Sequence, residues 1–127
     1  DVLVLGAAYR GGVQETAFSG VFGLVTELEA RGARAVVHDP LYTDDELRGF
    51  GLVAYAPSTD TPRGAIVQAD HDEYRSLKPA LLGGASAVVD GRNWVKDLPP
   101  GVRRVTIGRG ERAGSDVDAA GSVGSTA

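Results

Sequence analysis

Three short stretches carry side chains that could do chemistry: Gly6-Ala7-Ala8-Tyr9-Arg10-Gly11-Gly12, Asp70-His71-Asp72 and Asp90-Gly91-Arg92-Asn93. An aromatic ring beside a guanidinium, as at Tyr9-Arg10, can pack a base and pair a phosphate. The plainer alternative is a half-buried tyrosine next to a surface arginine. In the third stretch, tight-turn chemistry accounts for Asp90, Gly91 and Asn93. It leaves Arg92 unexplained, a guanidinium free to face a ligand rim.

The glycine-rich first stretch fits neither phosphate-binding fingerprint. A dinucleotide loop needs Gly-x-Gly-x-x-Gly so that backbone can approach the pyrophosphate, and Ala8 stands at the second glycine. A P-loop needs Lys-Ser/Thr after its last glycine, and Gly12-Val13 stands there instead. Asp39 lies where a dinucleotide fold keeps its ribose-binding acid, but Pro40 follows it. His71 sits between two aspartates. A metal site needs three or four ligands, and His38 is the one other histidine. No Gly-x-Ser-x-Gly elbow supplies a nucleophile for a triad. His71 therefore reads as structural, with Asp70 as an N-cap and Asp72 and Glu73 favouring the helix dipole.

Composition narrows the field further. The 127 residues suit one ordinary domain. With 43% hydrophobic and 24% charged residues, the chain is that of a folded globular protein. A net charge of −4 argues against a nucleic-acid binder. No apolar run is long enough to span a bilayer. The absence of cysteine excludes disulfides, thiolate metal sites and thiol nucleophiles. Methionine is absent too, even at position 1, and the chain opens straight into a strand without the remnant of an export signal. It reads as a piece of a longer, cytoplasmic protein.

The elements that must position these stretches follow from the apolar pattern. Val2 to Leu5, Ala33 to Val37 and Ala85 to Asp90 read as buried strands, and Leu52 to Ala56, Ala65 to Ala69 and Val102 to Ile107 as further strands. Phe18, Val21, Phe22, Val25 and Leu28 recur at helical spacing, and Arg31-Gly32 closes that helix. Thr43 to Arg48 predicts a short acidic helix. Another helix is expected to open near Asp70-His71 and to be interrupted at Pro79. Alternating strands and helices imply an α/β fold, a Rossmann-like open parallel sheet of five to six strands with helices on both faces. Residues 1–107 form the domain, and the Gly/Ser/Ala-rich 108–127 reads as a flexible tail. Ligands of such sheets bind outside the carboxyl ends of the strands, where all three stretches fall.

The ordered set of motifs resembles the C-terminal, nucleotide-binding domain of the UDP-glucose/GDP-mannose dehydrogenase family. Leu5-Gly6-Ala7-Ala8-Tyr9-Arg10 is similar to the family's Leu-Gly-x-x-Phe-Lys. Glu15 and Ser19 fall within its Asp-x-Arg-x-Ser block, with Ala17 where the family has Arg. Leu28 to Ala33 resembles Leu-x-x-x-Gly-Ala, and His38-Asp39-Pro40 resembles Tyr-Asp-Pro. Ala69 to Tyr74 resembles Thr-Asp-His-x-Glu-Phe, and Asp90 to Asn93 matches Asp-Gly-Arg-Asn. The blocks span about residues 1 to 97. One departure is the interval from Ala56 to Gly64, too short for the helix that the family usually places there.

The resemblance implies part of an enzyme that oxidises the C6 hydroxyl of a nucleotide sugar with two NAD⁺. NAD⁺ and the catalytic cysteine would belong to an N-terminal domain of the same chain. This domain would grip the nucleoside diphosphate of a UDP-sugar or GDP-sugar through Tyr9, Arg10 and Arg92. Glu15, Ser19 and Asp90 would support the loops. No catalytic residue, metal or cofactor is expected within it, and the full-length protein would be a homo-oligomer. Two other classes stand beside this reading: a stand-alone Rossmann-like binding or interaction module without an enzymatic parent, and a true NAD-binding domain, which Ala8 argues against.

Overall fold

The computed structural model describes residues 1–8, 11–12, 14 and 19–106. Five short parallel strands form one sheet: β1 (Val2–Leu5), β2 (Ala35–His38), β3 (Gly64–Val67), β4 (Ala87–Asp90) and β5 (Arg103–Thr106). Their order across the sheet is β2-β1-β3-β4-β5. The chain therefore turns back on itself between β1 and β3, the switch point at which open α/β sheets place their ligands. Leu5 pairs with His38 and Val67, Val67 with Asp90, and Asp90 with Thr106. All five carboxyl ends thus share one edge, and the three chemically rich stretches emerge there.

Alternation along the strands feeds two cores. On one face Val4, Ala35 and Val37 pack beneath α1 (Val21–Ala30) and α2 (Asp44–Gly49) through Val21, Leu24, Val25, Leu28 and Leu47. On the other face Leu3, Leu5, Val36, Ala65, Val67 and Val88 pack under Tyr55, Tyr74, Leu77, Leu82 and Val95. α1 closes in a Schellman motif, with Ala33 N donating to Leu28 O and Gly32 N to Glu29 O. α2 is held by a capping box in which Thr43 and Glu46 satisfy each other's amides.

The expected third strand, Leu52 to Ala56, is reduced to one parallel bridge between Val37 and Ala54. Asp60 ends the pairing: its carboxylate accepts from Ala56 N at 2.8 Å, and the amides of Thr59 and Asp60 turn back onto Ala56 O. Asp60 also pairs with Arg34 at 2.9 Å, and Arg34 reaches Asp1 at 3.2 Å. This clasp lets the chain pass directly to β3 with no helix between Ala56 and Gly64. The helix expected after Asp70 is likewise cut to a single 3₁₀ turn, Asp72–Tyr74. The next backbone groups are committed elsewhere, since Arg75 O accepts from Lys96 and Asp97 and Leu77 N donates to Asp97 O. Pro79 does not interrupt a helix; it occupies the first turn of a new one, α3 (Pro79–Leu82). Ile107 and the tail expected over 108–127 lie outside the described residues.

Candidate functional site

The loop after β1 is built around a buried carboxylate. Asp39, just past β2, turns its side chain inward, and Oδ2 accepts from Ala7 N at 2.8 Å and Ala8 N at 3.1 Å. The same oxygen accepts from His71 Nε2 at 2.8 Å, while Oδ1 accepts from Leu41 N at 2.8 Å. Both side chains of this Asp39–His71 pair are essentially inaccessible to solvent. Gly12 N donates to His71 Nδ1 at 3.0 Å, so that nitrogen carries no proton and Nε2–H faces Asp39. His71 thus has a positioning task in the loop. The ribose-type reading of Asp39 does not fit a carboxylate facing into the protein.

The loop is fastened at further points. Asp70 is not the N-cap of a helix, since His71 holds the cap position without a side-chain bond. Its Oδ1 accepts from Gly11 N at 2.5 Å. Gly11 is needed there for space, because a Cβ would lie 1.9 Å from Asp70 O. Gly6 has φ +113°, and a Cβ on it would meet that of Ala69 at 2.5 Å. Gln68 Nε2 donates to Gly6 O and Ala8 O at 3.0 and 3.2 Å. Ser19 Oγ donates to Ala8 O at 3.3 Å and accepts from Val21 N at 3.1 Å, joining the loop to the start of α1.

Arg92 stands on the next turn of the same edge. Asp90, fully buried, accepts from Arg92 N at 3.2 Å and from Trp94 N and Val95 N at 2.8 Å each. Arg104 lies 3.6 Å from the same carboxylate and also donates to Val95 O. Trp94 Nε1 donates to His71 O at 2.7 Å, and the Arg75 guanidinium stacks 4.2 Å over the Trp94 ring. The backbone that carries Arg92 is therefore rigid while its guanidinium remains accessible. Its ion-pair partner is Asp70, at 3.6 Å, and not Asp90 or Asp97. Burial pushes the Asp70 carboxyl up, but the Gly11 amide, its own amide and Arg92 outweigh that and hold it below its ordinary value.

Of the residues expected at the site, the structure brings Ser19, Asp90 and Arg92 to one edge. Tyr9, Arg10 and Glu15 lie outside the described residues. Sequence reasoning missed Gln68 and the Asp39–His71 pair as loop fasteners. The Asp39-Pro40 junction at a strand end was the available signal, since an Asx turn there fixes the carboxylate's direction.

The profile of the UDP-glucose/GDP-mannose dehydrogenase family, UDP binding domain, matches residues 3–97. The chain belongs to this family. Among curated proteins it is 29% identical over 115 residues to the UDP-N-acetyl-D-mannosamine dehydrogenase of Pyrococcus horikoshii, covering 87% of this chain and 26% of that protein. Among solved structures, the UDP-N-acetyl-mannosamine dehydrogenase Cap5O from Staphylococcus aureus superposes with a TM-score of 0.67 at 21% identity, over 84% of this chain and 26% of that one. The Pyrococcus horikoshii UDP-D-ManNAc dehydrogenase structure gives 0.61 at 24% identity, over 86% and 25%. At such identities the superpositions show a shared fold. The chain spans about a quarter of the length of these dehydrogenase relatives.

Proposed function

We propose that this domain holds the nucleoside diphosphate of a UDP-sugar or GDP-sugar within a larger NAD-dependent nucleotide-sugar 6-dehydrogenase. The observation that carries the reading is Arg92, a partly exposed guanidinium on a braced turn at the ligand edge of a chain in this family. A planar guanidinium can pair a diphosphate through two parallel N–H bonds. Tyr9 and Arg10 are proposed as the base-packing and second cationic contacts, with Glu15, Ser19 and Asp90 as loop support. Binding energy from the remote nucleotide would orient the sugar and exclude water on closure.

The residues of this chain do not fit a dinucleotide pyrophosphate. Ala8 replaces the glycine that such a ligand approaches, and the amides of Ala7 and Ala8 are already directed at Asp39. NAD⁺ would belong to an N-terminal domain of the same chain, together with the thiol that covalent chemistry requires, since this sequence has no cysteine. The whole protein is proposed to be a cytoplasmic homo-oligomer. Among the described residues no helix is long and apolar enough to cross a membrane.

Calorimetric titration with UDP, GDP, UDP-glucose and NAD⁺ tests the assignment. Weak saturable binding of a nucleoside diphosphate is expected, because contacts from one wall of a pocket seldom offset the lost freedom of the ligand by much. Tight binding of NAD⁺ with no response to UDP or GDP would refute it.

A further inference from the structure

In dinucleotide-binding folds, the amides of the loop after the first strand point at the pyrophosphate of the ligand. Successive amides aimed at one point form a concave anion site. Here the loop has that shape, and its occupant comes from the protein itself. The amides of Ala7 and Ala8, both fully buried, converge on one oxygen of Asp39. His71 Nε2–H is a third donor to that oxygen, and Leu41 N–H serves the other. Further along the loop, Gly11 N–H is taken by Asp70 and Gly12 N–H by His71. Among the described residues of the loop after Gly6, the amides at 7, 8, 11 and 12 are therefore all spent on internal side-chain acceptors.

We propose that Asp39 is an internal anion filling the phosphate niche of the loop after β1, with His71 as its positioning partner. The pair holds the loop on both sides of the Tyr9-Arg10 dipeptide in sequence, at Ala7-Ala8 through Asp39 and at Gly12 through His71, and denies the niche to any ligand phosphate. A nucleoside diphosphate must then be gripped by side chains at the rim. Asp39 fills the niche whichever nucleotide the rim takes.

The decisive experiment is chemical rescue. Asp39→Ala removes the carboxylate and leaves four donors facing a space of carboxylate size. Thermal melting of this variant should rise saturably with formate, at ionic strength held constant with chloride, while the unaltered protein shows no saturable rise. A folded Asp39→Ala that responds equally to formate and chloride would overturn the proposal. If the variant does not fold in either salt, the unaltered protein decides by amide hydrogen exchange and by titration with inorganic pyrophosphate. Slow exchange at Ala7 and Ala8, comparable to the β1 amides, with signals unmoved by pyrophosphate supports an internally filled niche. Fast exchange there, or a saturable pyrophosphate shift at those two amides, refutes it. A failure of UDP to bind would leave all of these readouts unchanged.

Discussion

At the scale of single residues, Arg92 divides a binding role from a structural one. Its ion pair with Asp70 spans 3.6 Å, with both side chains about a third exposed, and such pairs contribute about 0–1 kcal/mol. The turn beneath it depends on the Asp90 carboxylate and the Trp94 indole, and Arg92 contributes only its backbone amide to that network. Arg92→Ala should therefore leave the melting temperature nearly unchanged. It should weaken nucleoside diphosphate binding by roughly 1.5–3 kcal/mol, the scale of a charged hydrogen bond. Arg92→Lys should restore part of the loss, because an ammonium lacks the planar fork. In the complete enzyme the effect should fall on KM, since the diphosphate is held alike in ground and transition states. A lowered melting temperature with unchanged nucleotide affinity would reduce Arg92 to a brace for its turn.

At the scale of elements, β2 and the 3₁₀ turn Asp72–Tyr74 are joined through His38. The Tyr74 hydroxyl donates to His38 O at 2.9 Å, so His38 Nδ1 must be the donor in the 2.8 Å contact with that hydroxyl. Burial holds the imidazole below its ordinary value of 6.5; Asp39, Glu73 and Asp44 oppose the shift and His71 adds to it. A histidine with a lowered folded pKa takes up protons more readily when unfolded, so stability falls as pH drops below about 6.5. His38→Asn keeps a donor near the Nδ1 position without the titration. Melting temperatures of this variant should decline less between about pH 6.5 and 5 than those of the parent. An unaltered decline would show that His38 is not its source. Asp60 and Asp70 act at lower pH. The bonds from Ala56 N and Arg34 lower the Asp60 carboxyl, and those from Gly11 and Arg92 outweigh burial at Asp70. The stability they confer is present above 3.8 and is lost as pH falls through their lowered values.

These elements also mark how far the sequence can be read. Apolar runs located β1 to β4 because strands covered by two layers need continuous hydrophobicity, whereas β5 is an edge strand whose Arg103 and Arg104 are exposed and whose signal is only the alternation from Val102 to Ile107. The apolar run at Leu52 to Ala56 overstated a single bridge, since the Asp60 clasp that ends the pairing is a contact of polar atoms. The first helical turn after His71 could not be distinguished from a full helix, because its termination depends on Arg75, Lys96 and Asp97 meeting across the fold. Arg92 stands out in the sequence because turn geometry does not account for it, and its place at the carboxyl edge follows from the Asp90 turn that ends β4. The inward turn of Asp39 had a single signal, the Asx turn that an Asp-Pro junction favours at a strand end, and that turn alone does not separate a carboxylate serving its own backbone from one serving a ribose.

At the scale of the whole molecule, five parallel strands bring the loop after β1, the Asp70-His71 segment and the Arg92 turn to one edge. The Asp39–His71 pair closes the backbone of that edge, while Arg92 stays accessible on it. Ligand phosphate is therefore expected to meet side chains here and not the loop amides. Heteronuclear NMR of the isotope-labelled chain during titration with UDP, and separately with NAD⁺, measures this directly. UDP should shift the Arg92 side-chain Nε–H and Gly91 amide signals saturably, and the Ala7 and Ala8 amides should hold their positions with both ligands. Saturable movement of the Ala7 and Ala8 amides with NAD⁺, while Arg92 stays still with UDP, would show instead that the loop amides bind phosphate and that Arg92 does not.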